Sequence, residues 1–369
     1  MINDPAQLSQ ARQPRGLVKI SASDANGNTV ASETMPGWID WSVDNNTFSH
    51  ADTFGMNFAV SALPSDRGAD WWAQQNQITA EIYAGFPANP ENFTADELAL
   101  LIVGNADSME FDPIGRIIAL HGRDLTSLMI DAQTVEKWQN KKASEVAQTI
   151  AARHGLNFVG QATTTRLGTY YQLEQASLTA QRSEWDMLSW LAGLEGFVVY
   201  VSGRDLHFEP APDAGSDPYV IQWQQVDGGR FDANALHLGF TRNMALSKGI
   251  KVVVESFNQR TGKVSKSYPK AARKDAQVYT RRFANLNNEQ ALQKAQAIYQ
   301  EIIAHEIRLE ALLPADNLLQ RTSIIRVQGM GLAYDQLYYP ESITRTMSMD
   351  EGYRMKIHAK NHSPENSVQ

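Results

Sequence analysis

Over the first 120 residues apolar and polar positions alternate with a period of two, the signature of strands with one buried face. Val18, Ile20 and Ala22 lie on one face before a turn at Asp24-Ala25-Asn26-Gly27. Ile39, Trp41 and Val43 share a face, as do Met56, Phe58 and Val60. Further strands are predicted at 78–83, stopping at Gly85, at 98–103, and at 116–121, where Ile117, Ala119 and His121 share a face. The last of these is entered through a turn at Asp112-Pro113-Ile114-Gly115. Half a dozen short strands separated by Gly, Pro and Asn predict an antiparallel sheet curled into a small barrel or a sandwich.

From Ile114 to Asp131 the chain changes character, breaking at Gly122-Arg123-Asp124, and two helices follow. In SEVAQTIAARHG, opening at Ser144, the apolar stripe Val146, Ala147, Ile150 and Ala151 has the helical period, and Gly155 stands where a helix is expected to end. The second helix starts near Ser183, with Glu184 and Asp186 in the dipole-favoured first turn; it buries Trp185, Leu188, Leu191 and Ala192 and ends at Gly196. A hairpin follows, FVVYV and LHFE around Ser202-Gly203-Arg204-Asp205, with Leu206 and Phe208 on one face. APDAGSDP, Ala211 to Pro218, reads as a linker.

Alternation then returns at Tyr219 to Trp223 and at Ile250, Val252 and Val254. A long helix is predicted from an Asn287 cap, with Gln290 at its third position, to about His305; its stripe is Ala291, Leu292, Ala295, Ile298, Tyr299 and Ile302. The last strand, Tyr353 to Lys360, sets Tyr353, Met355, Ile357 and Ala359 against Arg354, Lys356, His358 and Lys360. One echo runs through the chain. DPIG followed by RIIALHGR matches MDEG followed by YRMKIHAK, each after a strand that stops at a glycine, Gly85 or Gly329. It suggests an internal duplication.

Composition narrows the function classes. The 369 residues are 43% hydrophobic and 20% charged, as in folded globular domains. The lack of cysteine removes disulfides, thiolate nucleophiles and Cys-based zinc sites. A net charge of −8, from 41 acidic and 33 basic residues, is the wrong balance for gripping duplex DNA. No apolar run approaches the ~18 residues of a membrane span. The opening MINDPAQLSQARQ has no apolar core of the signal-peptide kind, so neither export nor membrane insertion is expected.

The search for chemistry yields no catalytic, cofactor-binding or metal residue. His305-Glu306 opens a zincin-like motif, but Leu309 stands where the second histidine belongs. No nucleophile elbow, Walker loop or Rossmann glycine pattern is present, and Gly329-Met330-Gly331 reads as a turn. Among 41 acidic residues no carboxylate pair is singled out for glycoside hydrolysis. Two features stay open. Trp71-Trp72 reads equally as core or as a subunit contact. Residues 260–286 carry Arg260, Lys263, Lys266, Lys270, Arg273, Lys274, Arg281 and Arg282 against Asp275 alone, a net of +7 that leaves −15 for the rest of a chain totalling −8. That segment is either a solvated hairpin or an electrostatic contact with an acidic partner or neighbouring subunit.

Several stretches together resemble the baseplate hub proteins of contractile phage tails, the late-control-D family, related to the hub part of type VI secretion spike proteins. They are IYAG (Ile82 to Gly85), HGRDLTSLMIDA with Trp138 following, ASEVAQTIAARHGL, SEWDMLSWLAGLEGFVVYVSGRDLHFEP, and the C-terminal helix leading into ALLPADNLLQRTSIIRVQGMGLAYDQLYYPESITRTMS. They spread over residues 16 to 360, and their order is more specific than any one of them.

The resemblance implies an α+β, mainly β chain in which two similar antiparallel β-barrel domains flank an α/β domain. The expected organisation is a flexible arm (1–15), a first, tube-like barrel (16–122) and an α/β domain (123–212). A second barrel (213–362) carries the basic insertion (260–286) and the long helix (287–306), before a disordered tail (363–369). It also implies a non-enzymatic homotrimer, a ring of six quasi-equivalent barrels that adapts a sixfold tail tube to a threefold central spike and encloses a channel for DNA. Its partners would be the tube or a tube-initiator protein, the spike, and peripheral baseplate proteins. It would be made in the host bacterial cytoplasm and located in the virion, and no cofactor is implied. The rival readings are a tail-associated peptidoglycan hydrolase and a DNA-binding module acting through 260–286.

Overall fold

A computed structural model describes residues 13–46, 48, 50–134, 136, 138, 141–164, 166–167, 182–210, 217–226, 230–244, 249–258, 262–270, 276–284, 286–303, 307–331 and 333–361. The expectations for 1–12, the 211–216 part of the linker, 260–261, 271–275 and 285 of the basic segment, His305-Glu306 and the 362–369 tail lie outside those residues. The chain is mainly β and divides into two compact units: residues 1–216, 312–323 and 342–356 form the first; 217–311, 324–341 and 357–369 form the second.

In the first unit β1 (Arg15–Ser23), β2 (Thr29–Thr34), β3 (Trp38–Asn46), β4 (Thr53–Ala59), β5 (Gln77–Gly85), β6 (Ala99–Asp112) and β7 (Ile117–Asp124) form an antiparallel sheet in the order β2-β1-β5-β6-β7-β4-β3. The alternating residues point inward as their spacing predicts: Val18, Ile20, Trp41, Val43, Met56 and Phe58 are all buried. Each large side chain so buried contributes roughly 1.5–3 kcal/mol.

Two local expectations shift. Val60 leaves the strand for a 3-10 turn at Val60–Ala62, so Phe54 completes the inner face of β4. On β7 Ile117, Ala119 and His121 share a face as expected, and the core face is the other one, Ile118 and Leu120. β6 runs on to Asp112, well past residue 103, and makes with β7 a hairpin whose outer part is exposed.

Gly122 lies inside β7, which stays paired through Asp124, so the break expected at Gly122-Arg123-Asp124 comes only after it. A Cβ there would sit 2.2 Å from the Asn105 carbonyl oxygen and 2.7 Å from the Phe54 ring, so only glycine lets the strands close over that ring.

A separate apolar cluster of the first unit is built from helices and a small sheet. Beyond the two predicted helices there is a third, Thr126–Asp131. Six residues are too few to show a period, and Leu125 at its N-terminus gives no capping hydrogen bond. Helix Ala143–Arg153 buries the predicted stripe and ends as a Schellman motif: Leu156 N bonds Ala151 O at 2.9 Å and Gly155 N bonds Ala152 O at 3.2 Å, with Gly155 at φ +67°. Helix Glu184–Glu195 is capped by the Ser183 hydroxyl, which accepts from Asp186 N at 3.0 Å. β8 (Gln133–Thr134) and β9 (Lys141–Lys142) are short; β10 (Asn157–Gly160) follows; β11 (Arg166–Leu167) and β12 (Arg182–Ser183) pair with β9 and β8. β13 (Phe197–Ser202) and β14 (Asp205–Pro210) form the hairpin, burying Leu206 and Phe208, with β10 parallel to β14.

The second unit holds β15 (Tyr219–Val226), β16 (Arg230–Ala233) and β17 (His237–Arg242), then β18 (Ile250–Asn258), β19 (Gly262–Tyr268) and β20 (Gln277–Ala284). It shares β21 (Ile307–Pro314) with the first unit, adds β22 (Ile325–Gln328), and shares β23 (Leu337–Ser348) and β24 (Gly352–Asn361). β18, β19 and β20 form their own sheet in the order β19-β18-β20, backed by helix Asn288–Ile303. That helix has the predicted box: the Asn287 side chain accepts from Gln290 N at 2.9 Å, and the Gln290 side chain accepts from Asn287 N at 3.0 Å. The remaining strands pair in the order β16-β15-β22-β23-β24-β21-β17.

Numbered along the chain with β18, β19 and β20 set aside, that order is second, first, fifth, sixth, seventh, fourth, third, the same as in the first sheet. β1 and β5 are antiparallel, whereas β15 and β22 are parallel. Among the described residues no helix is long and apolar enough to cross a membrane.

Candidate functional site

Within the first unit a cavity of about 240 Å³ opens among the ends of β3, β6 and β7, the β13–β14 hairpin, and residues 317–322. Its polar lining includes Asn45, Asp52, Asp124, Tyr200, Arg321 and Arg345. Arg345 arrives there through strand alternation: Ile343, Arg345 and Met347 share the buried face of β23, so a guanidinium occupies a core position. Burying that charge is tolerable only where its donors are met. Arg345 donates from Nε to the Asp316 carbonyl at 3.1 Å, from Nη1 to Asn45 Oδ1 at 3.1 Å, and from Nη2 to the Leu319 carbonyl. It therefore binds the 316–319 backbone to the sheet. Asn317 adds to this, donating to the Ala84 carbonyl and accepting from the Tyr353 hydroxyl, each at 2.8 Å.

Arg321 makes the second cross-tie. It bonds the buried Asp52 carboxylate, donates to the Asn46 carbonyl at 3.4 Å, and lies 4.9 Å from the centre of the Tyr200 ring. Tyr200 in turn stacks on His207 with centroids 4.4 Å apart and donates to Glu209 at 2.8 Å. Burial pushes the Tyr200 hydroxyl up, and Glu209 reinforces the shift.

Burial likewise lifts the Asp124 carboxyl well above the usual carboxylate range, and the nearby charge of Asp52 lifts it further; Thr126 and Arg321 act the other way. Both carboxylates are committed locally. Asp52 accepts from Asn45 Nδ2 and Asn46 N at 2.9 Å each, besides Arg321. Asp124 accepts from Thr126 N at 3.1 Å and Thr126 Oγ1 at 3.0 Å. The chemistry this geometry supports best is cross-linking: a buried polar seam that fixes three chain segments to one another.

The residues weighed from sequence fall into place elsewhere. Glu184 does more than favour a helix dipole: it is buried, bonds Arg153, and lies 2.5 Å from His154 Nε2. The tryptophan pair divides. Trp72 is core, 5.4 Å from the Phe58 ring and bonded to the Arg67 carbonyl at 3.0 Å, while Trp71 is half-buried under the Arg67 guanidinium at 4.8 Å. Leu309 is a buried strand residue of β21. Gly329 and Gly331 have φ of +93° and +98°, and Met330 N bonds Asp335 Oδ1 at 2.7 Å, the turn their spacing suggests. Among the described residues there is no group of three His, Asp or Glu placed to hold a metal. The cavity cluster was missed in the sequence; the signal was Arg345 at an inward position of an alternating strand.

No family model and no curated protein matches the chain. Solved structures do. The tail protein from Neisseria meningitidis MC58 superposes with a TM-score of 0.67 at 15% identity, over 94% of this chain and 96% of that one. The 43 kDa tail protein of prophage MuSo2 from Shewanella oneidensis gives 0.61 at 13%, over 93% and 97%. A chain of the Francisella PdpA-VgrG complex gives 0.56 at 10%, over 95% of this chain and 58% of that one. At such identities the likeness is one of fold, and over nearly its whole length this chain has the fold of phage tail proteins.

Proposed function

We propose that this chain is a structural baseplate hub of a contractile phage tail. In this reading three copies form a ring that adapts the sixfold tail tube to the threefold central spike and encloses the channel through which DNA passes. The observation that carries it is the strand order shared by the two seven-strand sets, because a duplicated sheet lets a threefold assembly offer six similar surfaces. The echo between the β6–β7 and β23–β24 hairpins supports it: Ile118 and Leu120 match Met355 and Ile357 in phase as buried positions.

Residues 16–122 and 213–362 are then the two barrels and 123–212 the α/β domain between them. The excess of acidic residues suits a lumen that DNA slides through without gripping. The tube or its initiator would sit on one face, the spike on the other, and other baseplate proteins at the periphery, in the virion. Light scattering of the purified chain tests this: a mass of roughly three times 41.0 kDa is expected, and a monomer at all concentrations removes the ring.

One observation favours a second reading, a peptidoglycan hydrolase. Asp52 and Asp124 line one cavity, and one carboxyl is lifted there as a general acid's would be. Zymography on cell-wall substrate separates the two: a clearing zone lost in Asp124→Asn supports the hydrolase, and no clearing by the native chain removes it.

A further inference from the structure

The sheet of β18, β19 and β20 buries one face under helix Asn288–Ile303, through Ile250, Val252, Val254 and Val264. Strand register fixes what the other face carries. Lys251 pairs with Val278, Glu255 with Arg282 and with Ser265, and Phe257 with Lys263. This face is apolar and basic together: Phe257 is 66% and Val278 57% exposed, and Glu255 is held by Lys263 at 3.5 Å and Arg282 at 3.1 Å. Single exposed apolar residues are ordinary, but two on a sheet face with three cations form the kind of patch that interfaces use.

The first unit carries a feature of opposite character. The outer part of the β6–β7 hairpin is exposed and presents Glu110 and Asp112 against Arg116, with Phe111 and Ile114 among them, while Asp107 is held by Arg123 at 2.7 and 2.8 Å; Ile114 is 94% exposed. Its tip is a built turn, since Asp112 Oδ1 accepts from Ile114 N at 2.9 Å and Gly115 N at 3.0 Å. A rigid, acidic, apolar-tipped hairpin pays little entropy on docking. Its two strands span about 5 Å, and three strands offer a face about 10 Å across between outer backbones, so one seats on the other.

We propose that the β6–β7 hairpin of one copy of this chain docks on the open face of the β18–β19–β20 sheet of a second copy. Donor and acceptor are different surfaces, so the contact is head-to-tail, and in the trimer reading three such contacts close the ring. The inference rests on the homotrimer reading and names the surfaces that build it. It gives the basic segment a partner, through Lys263 and Arg282, and gives the overlong β6 a purpose.

The test is sedimentation of the purified full-length chain, with charge swaps on each side. Lys251→Glu with Lys263→Glu reverses the acceptor and leaves Arg282 to hold Glu255. Ser108→Lys with Glu110→Lys reverses the donor without touching the Asp112 turn. Each pair is expected to weaken self-association by about tenfold or more, more so at low salt, and the four changes together to restore it to within about threefold. Circular dichroism melts of all three variants are expected to match the native chain, since every changed side chain lies at a surface.

An assembled native chain whose mass ignores both swaps overturns the docking and leaves the trimer standing. A native chain that stays monomeric overturns both. Weakening by each pair without rescue by the combination also overturns the docking, because charge complementarity between those two surfaces requires it.

Discussion

Removing the cation of the polar seam should destabilise the chain in a way that grows with pH. In Arg321→Met the aliphatic stem keeps its place, but Asp52, 4% exposed, loses its counter-charge and Tyr200 its cation. Breaking a buried pair by removing one partner costs about 3–5 kcal/mol. Asn45 Nδ2 and Asn46 N still donate to Asp52, which places the expected loss near the low end, about 3 kcal/mol.

The pH dependence follows from Asp124. Its folded carboxyl holds its proton more tightly than the unfolded one, chiefly through burial and then through Asp52. The stability this gives is complete below the ordinary carboxylate pKa and is lost as pH rises through the folded value. Arg321 opposes the shift, so without it the folded value climbs further and more stability is lost on the alkaline side. Urea unfolding followed by tryptophan fluorescence, at about pH 5 and about pH 9, should give a larger deficit at the higher pH. The double variant Asp52→Asn/Arg321→Met should cost at least about 1 kcal/mol less than the sum of the two singles. A deficit under about 1 kcal/mol at high pH, or one that shrinks as pH rises, would refute the account of the seam as coupled charges.

Asp124→Asn keeps an acceptor for Thr126 N but cannot ionise, so it should be more stable than the native chain at about pH 9 and no more stable at about pH 5, in the same urea assay. Gly329→Ala puts a Cβ 1.7 Å from the Trp223 carbonyl oxygen at φ +93°, and soluble expression should collapse; Gly331→Ala, also at positive φ but with nothing within 4 Å, should cost only about 1 kcal/mol. Glu184→Gln leaves Arg153 and His154 without a buried carboxylate and should cost about 3 kcal/mol, while Ser183→Ala at the same helix end should cost about 1 kcal/mol; thermal melts distinguish the two.

The helices and the alternating strands were legible because their signals are local. Asn287 with Gln290, Ser183 with Asp186, and Gly155 after Arg153 each satisfy a helix end within a few residues, and all three ends fall where the sequence places them. The Thr126–Asp131 helix was not legible, because one turn and a half held by Met129 in a distant cluster has no period of its own. The long β6 exceeds its sequence signal for a related reason: beyond Gly104 none of its residues is buried, so nothing in their alternation marks them as strand, and only pairing with β7 keeps them extended.

The seam was opaque for a different physical reason. Arg321 lies 269 residues from Asp52 and Arg345 lies 300 from Asn45, and each looks like a surface charge until topology brings the partners together. What betrays such a residue is a conflict between its chemistry and its position. Arg345 stands where Ile343 and Met347 say a core side chain should be, and a sequence tolerates that only if the fold supplies acceptors. Here the acceptors are mainly backbone carbonyls of an irregular segment, which have no side-chain signature at all. The 316–319 segment, irregular and held by side chains rather than by a ladder, is therefore the part of the first unit whose conformation depends most on single residues. Hydrogen exchange at Leu318 and Leu319, whose amides bond only the Asp316 side chain, should accelerate in Arg345→Met before the β3–β4 ladder loses any protection.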